Sequence, residues 1–336
     1  MAGRGIGGRD SVQRRHFGIG LAGATLVATP GRAQDTWPNR PIRLIVPFVA
    51  GASSDTIARI VAAKLAEPLG TSIVVENRAG AGGLLASQMV ARAAPDGYTL
   101  LWGGGTALTH AVLQREPGYD ALRDFTPIAT IVENPAVLCV RTAAPWRDIA
   151  ALLAAARSER SGGLRYGSGG VGTPAHMAAA AMLKLAGAEG THVPYRGANQ
   201  AALAVEQGEV DFAFAISNIA LPRMQQGTIR VLLSTGARRM STLPDLPTLA
   251  ETLQGGPIIT SGSSIVGPAG IPAPIVTRLH AVIGRLVAED AALRAALTRE
   301  GGEITIAESP AAYAASWAEE FARLQRLVEL SGARAE

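Results

Sequence analysis

Three short apolar runs, residues 42–46, 73–75 and 98–102, alternate with two stretches whose apolar positions recur at helical spacing. Strand-helix-strand units built this way predict a parallel sheet, because strands buried on both faces read as continuous rather than alternating apolar runs. The first helix is expected to begin near Ser54-Asp55. Its Ile57, Ile60, Val61 and Leu65 fall on one face, and Pro68 and Gly70 end it. A second alternating set follows, with strands expected at 163–167, 192–195, 211–215 and 229–234. Beyond Pro244-Asp245-Leu246-Pro247 come a short helix, an extended segment around 264–267, and helices near 275–287 and 310–330. These late elements have no second sheet of their own and need the first half to pack against. The fold class expected is therefore α/β in two lobes: 34–136 with 237–336, and 137–236. Two crossovers are expected, near 134–138 and 235–240, leaving a ligand cleft between the lobes. Roughly 300 residues outside the leader also exceed what one hydrophobic core commonly fills.

The leader itself is read from charge and hydropathy. Arg4, Arg9, Arg14 and Arg15 precede an apolar run from Phe17 to Ala28, which is too short to span a membrane, and Gly31-Arg32-Ala33 offers a small-x-small cleavage site. Residues 1–33 are thus expected to be an export signal cut after Ala33. Arg14-Arg15 gives it a twin-arginine character, with a Sec-type signal as the alternative. Taking away its five arginines and one aspartate from the 31 basic and 27 acidic residues leaves 26 of each. The high isoelectric point belongs to the leader, and nothing in the remainder points to nucleic acid or a membrane surface as a partner. The lone Cys139 lies in an apolar run and is expected to pack as a small hydrophobe.

Candidate chemistry concentrates in the segments that follow the expected strands. Residues 47–55, 76–83, 103–106 and 167–174 are rich in glycine and small residues and lead into helices, with Thr173 placed as an N-cap and Pro174 at the first helical position. Such loops present backbone N–H donors at the positive end of a helix dipole, and four in corresponding positions predict an anion site, most simply for a carboxylate. Gly104 and Thr106 enter the candidate site with the third loop. Glycine also serves ordinary strand-to-helix turns, so no single loop carries the argument. Asp55 is read mainly as an acid stabilising the first turn of its helix. His176 is placed one turn after Thr173, within reach of a carboxylate. Arg196 is a candidate partner for a second carboxylate, and Trp102 is read as core.

Other chemistries fit less well. Gly167-x-Gly169-x-x-Gly172 has dinucleotide-fingerprint spacing, but the next expected strand ends at Arg196 with no acid to hold a ribose. Tyr166 breaks the single near match to a nucleophile elbow at Ser168. His110, His176, His192 and His280 show no zinc-binding spacing.

The segments PIRLIVPFVAGASSDTIAR, VVENRAGAGG, PDGYTLLWGG, YGSGGVGTPAHMAA, HVPYRGANQAA and LPDLPTLAE occur in this order across the chain after its leader. Together they resemble the Bug family, the substrate-binding proteins of tripartite tricarboxylate transporters. The resemblance implies a periplasmic, two-lobed binding protein of the type II, Venus flytrap kind. Such a protein is not an enzyme and needs no cofactor or metal. It captures a small carboxylate and delivers it to membrane permease subunits, and a monomer is expected. Position by position the resemblance points to Phe48, Gly51, Ser53 and Ser54, to Ala81 and Gly82, and to Ser168, Thr173 and His176 as ligand-binding residues. Ala52 replaces the second glycine of the family's usual pair. In Phe214-Ala215-Ile216-Ser217-Asn218 no aspartate stands where members that bind amino acids often carry one, so Ala215 and Asn218 are expected to meet a ligand without an amino group. A ligand-presenting subunit for a sensor kinase and, more remotely, a nicotinamide-dependent oxidoreductase are the alternatives.

Overall fold

The computed structural model of the protein describes residues 37–158, 163–299 and 301–332; the expected export signal and its cleavage site at Ala33 lie outside the described residues. The first half opens with β1 (Ile42–Val46), α1 (Ser53–Leu69), β2 (Ile73–Asn77), α2 (Leu84–Ala91), β3 (Thr99–Trp102) and α3 (Gly105–Leu113). β1 is parallel to β2 on one side and β3 on the other. Ile42, Leu44, Ile45 and Val46 are buried, as a strand covered on both faces requires. α1 buries Ala58, Val61, Ala62, Leu65 and Leu69, while Ile57 and Ile60 flank that stripe half-buried. Gly70 ends the helix in the left-handed region at φ 72°, its N–H reaching Ala66 O and Glu67 O.

β4 (Phe125–Arg141) then runs 17 residues through both halves of the molecule. The second half adds α4 (Ile149–Arg157), β5 (Leu164–Ser168), α5 (Pro174–Leu185), β6 (Gly190–Pro194), α6 (Ala198–Gln207), β7 (Phe212–Ile216), α7 (Ser217–Gln225) and β8 (Ile229–Ser234). The chain returns through α8 (Leu249–Thr252), β9 (Thr260–Pro268), α9 (Ala273–Glu289), α10 (Ala291–Thr298), β10 (Glu303–Ile304) and α11 (Pro310–Ser331). The strand order is β2-β1-β3-β9-β4-β7-β5-β6, with β8 and β10 also on β4. β4 pairs antiparallel with β9 from Phe125 to Pro135, and with β7 and β8 from Ala136 onward. Sequence reasoning saw only a crossover near 134–138 here. Pro127 and Pro135 interrupt the strand pattern; a register shift between Pro127 and Ala129 accommodates the first as a bulge, and Pro135 falls where β4 changes partner from β9 to β7.

The late elements do pack on the first half. β9 inserts between β3 and β4, and α9 covers β4 and α1. α11 adds a link that the two expected crossovers do not include. Its Tyr313 and Trp317 are buried with Val266 and Phe125 of the first half, whereas its Leu327 is buried with Met177 and Met182 of α5.

Three segments meet at Thr235. Its buried hydroxyl donates to Ile259 O at 2.5 Å and accepts from Ala136 N–H at 3.1 Å; its own N–H donates to Ala136 O at 2.8 Å, and Ile259 N–H donates to Thr235 O at 2.9 Å. A second knot holds the loop after β1. Asp55, 2% exposed, accepts Gly51 N–H at 2.9 Å, Asn77 Nδ2 at 2.8 Å and Arg59 Nε at 3.0 Å. Asn77 donates its other amide proton to Phe48 O at 3.0 Å. Burial pushes the Asp55 carboxyl up, but the hydrogen bonds from Arg59, Gly51 and Asn77 outweigh it and hold the pKa at about 2. Asp55 therefore ties the loop to the ends of α1 and β2, beyond any effect on the helix dipole.

Both knots are testable. Thr235→Val leaves the Ala136 N–H and the Ile259 carbonyl only their long 3.4 Å bond to each other, and urea unfolding is expected to show a loss of about 1–2 kcal/mol, most of it restored by Thr235→Ser. Asp55→Asn is expected to be less stable than the wild type above pH 4. A carboxyl whose folded pKa lies below its unfolded value contributes fully above the unfolded value and loses that contribution as pH falls through the folded one. The gap between the two proteins in acid unfolding should therefore close as the pH approaches about 2.

Candidate functional site

A cavity of about 920 Å³ opens where the carboxyl ends of the parallel strands from both halves converge. Phe48 follows β1, Gly82 follows β2, and Gly105 and Thr106 begin the helix after β3. From the second half, Gly169 and Thr173 follow β5, Ala198 begins the helix after β6, and Ile216 ends β7. This is the arrangement in which open α/β sheets bind ligands.

Of the residues that the sequence nominated, the cavity wall contains Phe48, Gly82, Thr106 and Thr173. Thr173 caps α5, its hydroxyl accepting from His176 N–H, as the sequence predicted. Ala81 opens the short 3₁₀ turn that carries Gly82, and a Cβ on Gly82 would sit 3.2 Å from the His110 ring. The other nominated residues stand behind this wall. Gly51 gives its N–H to Asp55 and Ala52 gives its N–H to Val49 O, so neither amide is open to an anion. Ser53 is the first residue of α1, and the Ser54 hydroxyl accepts the indole N–H of fully buried Trp102 at 3.1 Å. Gly104 donates its N–H to Ser264 Oγ at 3.1 Å and packs so closely that a Cβ would lie 2.7 Å from Val266 and 2.8 Å from Trp317. Its glycine is explained by packing.

In the second half, Ser168 is fully buried and bonded to Gly170 and His192, while His176 accepts Gly172 N–H through Nδ1 at 3.1 Å. Both hold the loop from behind. Arg196 is exposed on the β6–α6 turn, its N–H bonded to Gln200, and Asn218 lies in the first turn of α7; neither is in the wall. Ala215 is off by one position. Alternate residues of a strand face opposite sides, so Phe214 and Ile216 line the cavity while Ala215 packs with Val137 and Val205.

Sequence reasoning missed the charged part of the wall, formed by Glu133 on β4 with Glu320, Arg323 and Arg326 on α11. Burial pushes the Glu133 carboxyl up, against a Thr260 hydrogen bond and the Arg323 charge. Burial and the Glu133 charge push Glu320 up, again opposed by Arg323. One signal was available, since Glu133-Asn134 stands between the buried apolar pair Ile131-Val132 and the buried apolar run Ala136–Val140. His110, which lines the cavity and whose Nε2 lies 3.1 Å from Gly82 O, carried none. Burial raises the Cys139 thiol to about 12, so it has no thiolate character at neutral pH. Among the described residues, no three His, Cys, Asp or Glu side chains are grouped to hold a metal.

Comparison with known proteins agrees with this architecture. Residues 57–332 match the model of the tripartite tricarboxylate transporter family receptor. The chain is 30% identical over 319 residues to BugT of Bordetella pertussis, covering 94% of this chain and 97% of that one. Among solved structures it resembles Rpa4515 of R. palustris with adipate, at 31% identity and a TM-score of 0.75, covering 89% of this chain and 99% of that one. It also resembles MatC (Rpa3494) of Rhodopseudomonas palustris with bound malate, at 31% identity and a TM-score of 0.71 over 87% of this chain and 99% of that one. The two halves joined by β4 are thus the lobes of an α/β periplasmic binding protein, and the chain belongs to the Bug family of tripartite tricarboxylate transporter receptors.

Proposed function

We propose that this receptor captures a small carboxylate lacking an amino group in the cavity between its lobes and delivers it to the permease subunits of a tripartite tricarboxylate transporter. The observation that carries the reading is the convergence of six parallel-strand ends, three from each lobe, on one cavity of about 920 Å³. On this reading the protein is exported, loses its leader near Ala33 and works as a periplasmic monomer. Family membership supports delivery to a permease, and the basic-then-apolar leader supports export.

The wall supports this ligand class. Phe214 and Ile216 present hydrocarbon on the second-lobe side, where an ammonium needs a counter-charge. Glu133 and Glu320 are the acids that an ammonium could seek, and both already lie in the field of Arg323. Adipate and malate, found in the two similar structures, are themselves carboxylates without an amino group.

A thermal-shift panel on residues 34–336 tests the proposal with mono-, di- and tricarboxylates, aromatic acids, amino acids and nicotinamide cofactors. A ligand present at about 100 times its dissociation constant should add roughly 2.7 kcal/mol of stability. Selective shifts by one class of carboxylate are expected. Equal shifts by glutamate and its deaminated analogue would refute the amino-free clause and assign the ammonium to Glu133 and Glu320; a shift by the cofactors alone would refute the receptor reading.

A further inference from the structure

Behind the second-lobe loop stand two histidines that take no part in the cavity wall. His176, in the first turn of α5, and His192, in β6, stack with ring centroids 4.0 Å apart and planes 18° apart. Tyr166 of β5 continues the column, 5.0 Å from His192 and 6.2 Å from His176, and Phe212 of β7 follows at 5.6 Å from Tyr166. Hydrogen bonding fixes the ring proton of His176. Ser168 Oγ accepts Gly170 N–H at 3.1 Å and lies 2.9 Å from Gly170 O and 2.7 Å from His192 Nε2. A backbone N–H can only donate, so Gly172 N–H meets a lone pair on His176 Nδ1 at 3.1 Å, and neutral His176 carries its proton on Nε2. Thr173 completes the frame by donating its hydroxyl proton to Gly170 O at 2.8 Å. Gly169, Val171, Gly172 and Thr173 of this loop face the cavity.

We infer that His176 and His192 are positioning residues for the second-lobe cavity loop, and that acid releases the loop because the bond from Gly172 exists only while His176 is neutral. A proton added to His176 must go on Nδ1, which turns the acceptor into a second donor facing Gly172 N–H. A proton on each ring also sets like charges face to face at the 4.0 Å stacking distance. Burial holds both rings below the ordinary histidine range, and the charge of His176 helps bring His192 to about 4.

The surrounding groups do not offset this. On β5, Tyr166 is held above its usual phenol range by burial, and Arg165 is engaged with Asp211. On α5, Lys184 is exposed two turns further along, and on β6 His192 is the only titratable side chain. Glu206 of α6, which packs on β5, pairs with Arg223 at 3.1 Å. α11, which packs on α5, brings Arg323, Arg326 and Glu329, and α4 brings Arg157, bonded to Ala186 O. Burial lowers His176, and burial with the His176 charge lowers His192. The sign follows. A histidine whose folded pKa lies below its unfolded value contributes fully above about pH 6.5 and loses that contribution as pH falls toward the folded value.

The consequence for ligand capture rests on the proposed receptor reading; the loop device itself does not. The test is the Gly172 amide, followed by ¹H–¹⁵N NMR and hydrogen exchange from pH 8 to pH 4 in the folded mature chain. In the wild type its resonance is expected to titrate below pH 6.5, and its protection factor to fall about tenfold per pH unit within that window for one linked proton. His176→Asn puts an acceptor oxygen near the Nδ1 position but cannot titrate, so the amide should stay protected and the transition should vanish. The His176 charge lowers His192 and not the reverse, so His192→Gln should leave the midpoint in place. A Gly172 amide unchanged across the range in the wild type, or a transition that survives in His176→Asn, would overturn the inference. Adipate titrations at pH 7.5 and 5 extend the test: binding that weakens with acid in the wild type but not in His176→Asn supports the link to the cavity, and binding that weakens equally in both refutes it. If adipate fails to bind at either pH, that result counts against adipate as a ligand, and the Gly172 readings still decide the inference.

Discussion

The architecture depends on one strand being shared between two sheets. Because β4 satisfies its backbone with β9 up to Pro135 and with β7 and β8 from Ala136, neither lobe has a complete sheet without it. The change of partner is abrupt and falls where the other two crossing segments arrive. Thr235 and Ile259 bond to each other and to Ala136 at that level, so backbone groups freed by the change are taken up at once. The cavity floor lies beside this knot, and its lining includes Glu133, Asn134, Ala136 and Ile259. On the proposed reading, a ligand seated there would touch the segments about which the lobes are joined, coupling occupancy to lobe geometry. α11 strengthens the coupling by burying one end in each lobe's core.

The loops around the cavity are stiff for a reason that differs between lobes. On the first lobe a buried carboxylate collects donors from the loop, from α1 and from β2. On the second, the Ser168 hydroxyl, itself bonded to His192, and the His176 imidazole take the Gly170 and Gly172 amides. In both cases amides that glycine-rich loops commonly offer to an anion are spent on the protein itself. The loops act as preorganised walls, in which the ordering entropy of the backbone is met during folding rather than at binding.

Much of the fold was legible because burial on both faces leaves an unambiguous apolar run. The strands Ile42–Val46 and Ile229–Ser234 have the same bounds in sequence and structure, and the helix from Pro310 differs by one residue at its end. β4 was not legible because local rules demote a strand containing Pro127 and Pro135, whereas pairing with β9 carries the strand through both, past a bulge at Pro127 and up to the change of partner after Pro135. The site was legible as a set of loops but not as a set of contacts. Gly104 looks like a ligand glycine, yet its missing Cβ makes room for Trp317, a contact with a residue on a distant helix that no local pattern announces. Phe214 and Ala215 differ only in which face of β7 they occupy, and the reading chose the wrong face because a short apolar strand carries no alternation to set its phase.

The two loop clamps also titrate in different ranges, which gives the cleft an order of failure. The carboxylate of Asp55 keeps its donors down to about pH 2, because three hydrogen bonds outweigh the cost of its burial. The imidazoles have no counter-charge to outweigh theirs, so the same burial that packs the second-lobe loop makes it sensitive to protons. Between those limits the first-lobe wall stays in place while the second-lobe wall loosens. On the proposed reading, acid therefore acts on one side of the cleft, and a ligand released that way would leave from a site whose first-lobe half is still formed.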